Sequence, residues 1–211
     1  ILSVAISMLK FEIGGLTVTI SSLLLCMMIG TTFCNENEFD NGCSFNTFGN
    51  VCHSNIFGEE CYYNTFGHEC SSNTFGIGCR SNKFGDICGN NTFGTYCGNN
   101  TFGNNCDSNT FGNNCGNNTF GNWCGSFTLG DITYNGNDFK DGCESNLFGD
   151  YCGGNNFNID CSKNKFGDYC QNNTLGNGCQ FNEFGTNCDN NTFGNICDCN
   201  EFGTNCDSNT F

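Results

Sequence analysis

A cysteine at every ninth residue constrains this 211-residue chain more than any other feature of its sequence. The spacing holds from Cys34 to Cys124 and again from Cys143 to Cys206. Counting Tyr134 as the head of one irregular repeat, Asn follows nineteen of twenty heads by three residues, and Phe or Leu follows every head by five. A chain with a short fixed period stacks copies of one unit instead of folding around a single centre. The sequence therefore predicts an elongated repeat domain at 34–211, preceded by a non-repeating segment at 1–33.

Alternation within the repeat indicates which side chains face the interior. In an extended segment, Asn91 and Phe93 share one face and Thr92 lies on the other. Because the Phe must be buried, we expect the Asn to point inward with it and the Thr to face solvent. Gly94 is the expected turn residue, since glycine readily adopts a positive φ, and the next Cys fills the interior near a corner.

Nine residues are too few to close a coil around a phenyl ring, so a coil needs two repeats or three. The outward residue between Asn and Phe favours two, because Thr holds seven of ten places in one alternate set of repeats and four of ten in the other. Twenty repeats then give ten coils of an all-β parallel β-solenoid (β-helix), about 50 Å long at ~4.8 Å per coil.

Parallel stacking places identical side chains over one another as ladders. Stacked Phe rings supply apolar burial, and an inward Asn, costly alone, bonds the amides above and below it. The predicted ladder residues are Phe48, Phe66, Phe84, Phe102 and Phe120, then Cys52, Cys70, Cys88 and Cys106, then Asn55, Asn73, Asn91 and Asn109.

Twenty-one cysteines raise the alternatives of a disulfide framework or a zinc site. Zinc sites use close pairs such as Cys-x₂-Cys with His to complete the set. This chain has single cysteines nine residues apart, one close pair (Cys197 and Cys199) and only two histidines. The spacing favours buried thiols that act as small apolar side chains, ahead of oxidation between neighbouring coils and of metal binding. We therefore expect no cofactor.

Charge and motif content exclude several classes of function. The net charge is −15 with only six Lys or Arg, which disfavours nucleic acid and anionic membranes as partners. The sequence contains no phosphate-binding loop, nucleophile elbow or acidic calcium loop. A glycan-cleaving enzyme needs paired carboxylates at a fixed separation, and no pair stands out from the scattered acids, so we expect no enzymatic activity.

The repeat is irregular at 123–143, where the cysteine spacing is nineteen. Tyr134 takes the place of a Cys and Phe127 that of an Asn, and one extra residue near 132–133 predicts a bulge that re-aims the coil. Trp123 is adjacent. Trp123, Phe127 and Tyr134 are thus a candidate contact patch for a partner or a glycan, with a tolerated insertion as the alternative.

The segment 1–33 permits two interpretations. Residues 13–30 carry no charge over eighteen positions, the lower limit for a membrane span, so a membrane or secretion segment is one. Alternating residues at 6–13 and 16–20 around Gly14-Gly15 predict two strands, which would cap the first coil or dock it.

The repeat SNTFGNNC, from Ser108 to Cys115, resembles the Asn-rich repeats of tail-fibre and other surface proteins of phages and gut bacteria. This resemblance implies a rigid β-solenoid shaft or adhesin outside the cell, on a virion or cell surface, that self-associates as a homo-oligomer or filament and binds a surface receptor or glycan. The alternatives are a carbohydrate-processing solenoid enzyme and an ice-binding protein. Ice-binding arrays usually present two outward Thr per strand, whereas this repeat has one.

Overall fold

The chain forms a parallel β-solenoid with two repeats in each coil. The computed structural model describes residues 8–13, 16–21, 35–125, 127–129, 132–134 and 136–211. Thr47 pairs in parallel with Thr65, eighteen residues further on, and Phe48 with Phe66. The predicted fold class is confirmed, with two nine-stranded sheets in the described chain.

Each strand of the two large sheets is two residues long. The first sheet contains β4 (Thr47–Phe48), β6 (Thr65–Phe66), β8 (Lys83–Phe84), β10 (Thr101–Phe102), β12 (Thr119–Phe120), β16 (Leu147–Phe148), β18 (Lys165–Phe166), β20 (Glu183–Phe184) and β22 (Glu201–Phe202). The second contains β3 (Glu38–Phe39), β5 (Ile56–Phe57), β7 (Thr74–Phe75), β9 (Thr92–Phe93), β11 (Thr110–Phe111), β15 (Asp138–Phe139), β17 (Asn156–Phe157), β19 (Thr174–Leu175) and β21 (Thr192–Phe193). Two antiparallel hairpins join β1 (Met8–Ile13) to β2 (Leu16–Ser21) and β13 (Phe127–Leu129) to β14 (Ile132–Tyr134).

The interior consists of two stacks of Phe rings, one per sheet. Within a stack, the centroids of Phe84 and Phe102 lie 4.8 Å apart with the rings 4° from parallel. Between stacks, Phe84 and Phe93 meet edge to face at 5.6 Å and 89°. Both geometries are favourable for aromatic pairs. The predicted Phe ladder therefore lies in the core, and most outward neighbours, such as Thr92, are exposed.

The Asn ladder connects each coil to the next one and to the one before it. Asn73 N–H donates to Asn91 Oδ1 at 2.9 Å, and Asn73 Nδ2 donates to Asn91 Oδ1 at 3.1 Å and to Cys52 O at 3.0 Å. An Asp at this place would lack the Nδ2 donor, so the carbonyl oxygen would lose its bond. The predicted inward Asn is fully satisfied here, which is why its burial is tolerated.

The turns differ from the expectation, which placed the left-handed residue at the repeat glycine. Positive φ falls instead on the residue before each Cys and the residue before each Asn, for example Tyr96 (φ 60°) and Asn90 (φ 57°). Gly94 serves close approach: a Cβ on it would lie 2.9 Å from the carbonyl carbon and oxygen of Gly76 in the preceding coil. The expected positive φ at Gly94 was wrong, because glycine is needed there for space between coils.

The irregular stretch is a hairpin inserted into a regular repeat, so the predicted bulge and the head position of Tyr134 were wrong. Asn137 Nδ2 donates to Cys124 O at 2.9 Å across thirteen residues, a bond that spans three in a regular repeat such as Cys115–Asn118. Ten residues, 126–135, are therefore added, and the strands β13 and β14 lie within them.

The insertion also changes which repeats lie above one another. Asp138 pairs with Thr110, and Leu147 pairs with Thr119. Repeats of one alternate set before the insertion therefore stack on repeats of the other set after it. The repeat that contains Phe127 forms no coil strand, which leaves nine strands in one sheet instead of the ten expected. The other sheet also has nine strands, because the last repeat adds to it only a single bridge from Thr210 to Thr192.

The N-terminal hairpin β1–β2 has the two strands expected around Gly14-Gly15, with Ile13 paired to Leu16. Strand β1 lies beside β3, the first strand of the second sheet. Residues 14–15 and 22–30 of the candidate membrane segment 13–30 lie outside the described residues, as do residues 1–7 and 31–34. Among those described, no helix is long and apolar enough to cross a membrane. A capping role for the hairpin stays a prediction.

Candidate functional site

A row of three stacked aromatic side chains lies on one corner of the solenoid. The rings of Trp123 and Tyr151 are 4.2 Å apart and those of Tyr151 and Tyr169 are 4.9 Å apart, all within 4° of parallel. The three side chains are a little under half exposed. Because they cover one another's faces, the row presents mainly ring edges to solvent.

The predicted contact patch of Trp123, Phe127 and Tyr134 falls partly outside the described residues. Phe127 pairs with Tyr134 across the hairpin, but the side chains of both lie outside the described part of the chain. Trp123 stacks in the row with Tyr151 and Tyr169. The sequence analysis missed this row because the ten-residue insertion lies between Trp123 and Tyr151.

A polar groove lies on a different side of the solenoid. The residues after four successive cysteines of one row are Arg80, Gly98, Gly116 and Glu144, and the two glycines leave a groove of about 360 Å³ between the charged ends. Its lining also includes Tyr96, Asn99, Asn114, Asn117, Gly142 and Ser145. The signal in the sequence was that Gly98 and Gly116 are eighteen residues apart. This spacing indicates a groove only once the coil is known to contain eighteen residues.

Tyr96 differs from the stacked aromatic residues because no ring packs on it in the described structure. Its row neighbours are Gly78 in the preceding coil and Asn114 in the next, as shown by the backbone bonds Gly78 N–H to Thr95 O and Tyr96 N–H to Asn113 O, both 2.9 Å. The side chain is about half exposed. No ring covers either face of the Tyr96 phenol in the described structure, and the side chain lines the groove.

The groove has a charged group at each end. Arg80 Nε donates to Tyr96 O at 2.8 Å, and among the described residues its guanidinium forms no ion pair. Glu144 lies 3.7 Å from Lys163 Nζ. The groove thus combines an open aromatic face, amide groups and an unpaired cation, which is a set that suits a polyhydroxylated ligand carrying negative charge.

Several half-buried aspartates accept hydrogen bonds from the backbone of the next coil. Asp168 N–H donates to Asp150 Oδ1 at 2.9 Å, and Thr186 N–H donates to Asp168 Oδ1 at 2.8 Å. Asp107 differs: it is buried, its Oδ2 has no hydrogen-bond partner, and burial raises the pKa of its carboxyl group to about 6. Within the described residues, no three His, Cys, Asp or Glu side chains are grouped to hold a metal.

The outward Thr residues form short, interrupted rows. In the first sheet Thr101 and Thr119 lie between Lys83 and Leu147. Further along, Lys165 and Glu183 form an ion pair at 2.6 Å. Charged and aliphatic side chains thus divide the row.

No protein-family model matches this chain, and neither curated proteins nor solved structures show a significant similarity to it.

Proposed function

We propose that this chain is a rigid structural module of an extracellular fibre or adhesin, on a virion or cell surface. The observation that supports this proposal is the unbroken Phe stack of the first sheet from Phe48 to Phe166, with ring centroids 4.7 to 4.9 Å apart. The same contacts repeat in every coil, so bending the rod would break many of them together.

The groove between Arg80 and Glu144 is the recognition surface that we assign to this module. An open ring such as that of Tyr96 stacks on the apolar face of a sugar, whereas the faces of Tyr151 are covered on both sides by neighbouring rings. Asn99 and Asn117 provide amides for hydroxyl groups. The ligand class is therefore an acidic oligosaccharide, whose carboxylate would pair with Arg80.

Binding is favoured over glycan cleavage. Hydrolysis uses two carboxyl groups that flank the scissile bond, and among the described residues that line the groove Glu144 is the single carboxylate. Ice binding has no specific observation in its favour, because the outward Thr rows are interrupted. The proposal also includes self-association as a homo-oligomer or filament and a surface receptor or glycan as the partner.

Titration calorimetry with sialyllactose, and with neutral lactose as the comparison, tests the recognition surface. We expect binding of the acidic sugar that is lost in Tyr96→Ala and reduced at least tenfold in Arg80→Gln, while Tyr169→Ala, on the stacked row, binds as the wild type does. Equal affinity of Tyr96→Ala and wild type for the acidic sugar would reject the groove. Reproducible cleavage of a polysaccharide would reject the non-catalytic assignment.

A further inference from the structure

The cysteines of the solenoid lie in two continuous columns, one on each half of the coil. The first thiol column consists of Cys43, Cys61, Cys79, Cys97, Cys115, Cys143, Cys161, Cys179 and Cys197, and the second of Cys52, Cys70, Cys88, Cys106, Cys124, Cys152, Cys170, Cys188 and Cys206. From Cys52 to Cys188 every member is fully buried. Cys52 is disulfide-bonded, and the column members from Cys61 onward are free thiols.

Each sulfur leans toward the cysteine of the preceding coil. Cys88 Sγ accepts Cys70 N–H at 3.3 Å and donates to Gly67 O at 3.3 Å, and both partners belong to the coil before it. The same backbone contact joins Cys88 to Cys106, Cys106 to Cys124 and Cys152 to Cys170 at 3.3 to 3.4 Å. It also joins Cys124 to Cys152 at 3.3 Å, across the inserted hairpin.

The column spacing suits a disulfide. Paired strands of neighbouring coils lie about 4.8 Å apart, and disulfides join residues whose Cα atoms are about 4.4 to 6.8 Å apart. All cysteine-to-cysteine hydrogen bonds of the described structure run along a column, and none joins the two columns. A sulfur therefore has two neighbours to bond with, one coil above and one coil below, and bonding with one excludes the other.

We propose that the thiol columns are oxidised in register as the chain folds, forming disulfides between cysteines of neighbouring coils. Because Cys52 is already bonded, the second column has one pairing frame that uses every remaining member: Cys70–Cys88, Cys106–Cys124, Cys152–Cys170 and Cys188–Cys206. The first column has nine members, an odd number, so pairing within that column leaves one of them out. This inference does not depend on the recognition function.

The oxidant is a small-molecule disulfide such as glutathione disulfide. One thiolate attacks it, which forms a mixed disulfide and releases one glutathione thiolate; the neighbouring cysteine then displaces the second glutathione. Two protein thiols lose two protons and two electrons, and the glutathione disulfide becomes two glutathione thiols. The exchange takes place while a coil is being added, because the thiols of completed coils are sealed from solvent.

Peptide mapping of the chain folded in a glutathione redox buffer, alkylated and then cleaved before aspartate tests the pairing frame. Cleavage at Asp86 and Asp107 isolates residues 86–106, which contain Cys88, Cys97 and Cys106. In the expected frame, Cys88 joins this peptide to the one that contains Cys70, and Cys106 joins it to the one that contains Cys124. A Cys88–Cys106 bond inside the peptide would contradict the frame.

Two variants provide the control. Cys88→Ser should make Cys70 open to alkylation after denaturation and leave Cys106–Cys124 intact, whereas Cys199→Ser, at an exposed cysteine outside both columns, should change no column bond. If Cys88→Ser does not fold, the map of the wild-type chain decides alone. Bonds between the two columns or between chains, or a folded chain whose column thiols stay reduced in the redox buffer, would each overturn the proposal.

Discussion

At the scale of single residues, the fold depends on side chains that tolerate a left-handed backbone. Asn and Gly adopt this conformation at low cost, and Asn occupies the place before the ladder Asn at 90, 99, 117, 172 and 190. That enrichment is visible in the sequence. The sequence did not separate this role of Asn from the inward ladder role, because both residues stand side by side.

Ile87 is a β-branched residue at a left-handed position, with φ 60°. Such a residue is strained there, and its side chain is about half exposed, so little burial offsets the strain. We expect Ile87→Asn to raise the free energy of unfolding by about 1 kcal/mol, measured by urea denaturation. Ile77→Asn is the matched control, since Ile77 is equally exposed but has no positive φ; an equal gain in both variants would contradict the explanation.

Asp107 makes the stability dependent on pH. Burial raises the pKa of its carboxyl group from 3.8 to about 6, so the folded chain binds a proton more tightly than the unfolded chain. This contribution to stability is fully present below the unfolded pKa, near pH 4, and is lost as the pH rises through 6. Asp107→Asn should remove this dependence and stabilise the chain at pH 7 by at most about 3 kcal/mol.

Thermal unfolding between pH 4 and pH 8 measures the effect of Asp107→Asn. Asp189→Asn is the matched control at the same repeat position, because the Asp189 carboxylate already accepts Asp207 N–H at 2.7 Å. A pH profile of Asp107→Asn that coincides with that of the wild type would show that the buried carboxyl group is not responsible.

At the scale of elements, the inserted hairpin shows how far the sequence alone could be interpreted. The nine-residue period predicted the strands, the inward Phe and the two-repeat coil, because each of these depends on spacing alone. The spacing of nineteen between Cys124 and Cys143 has two solutions, a repeat with one extra residue or a ten-residue insertion into one repeat. The bond from Asn137 to Cys124 and the pairing of Asp138 with Thr110 distinguish them, and both are contacts between residues distant in the sequence.

Removal of residues 126–135 should leave a regular solenoid. It joins Gly125 to Gly136 and yields Cys-Gly-Gly-Asn-Asp-Phe from Cys124 to Phe139, with the next Cys nine residues after Cys124. We expect a folded chain with the wild-type circular dichroism spectrum and an unfolding midpoint no lower than that of the full chain. Removal of ten residues at 107–116 is the control, since it shifts the register and should unfold the coils around it; equal tolerance of both deletions would contradict the insertion model.

At the scale of the whole molecule, each coil contacts only the coils before and after it, so the rod should lengthen or shorten by whole coils. Removal of eighteen residues, 71–88, takes out one coil. Every residue after the deletion then stacks on a residue of the same row as before. The rod should shorten by about 4.8 Å. Phe66 should then pair with Phe102, which moves into the place that Phe84 occupied. Small-angle scattering measures the length, and fluorescence of Trp123, the single tryptophan, reports whether its stack on Tyr151 persists.

Removal of nine residues, 116–124, is the informative contrast. The Phe stacks are the same in both halves of the coil, so the core can close again, but every row after the deletion moves to the opposite half, as it does after the natural insertion. The rod should stay folded while residues at the junction acquire new row neighbours. Asp150 N–H, which donates to Asn122 Oδ1 at 3.0 Å, should then lie beside Asn113. A chain that unfolds after the nine-residue deletion but folds after the eighteen-residue one would show that the rows, and not only the Phe stacks, determine the fold.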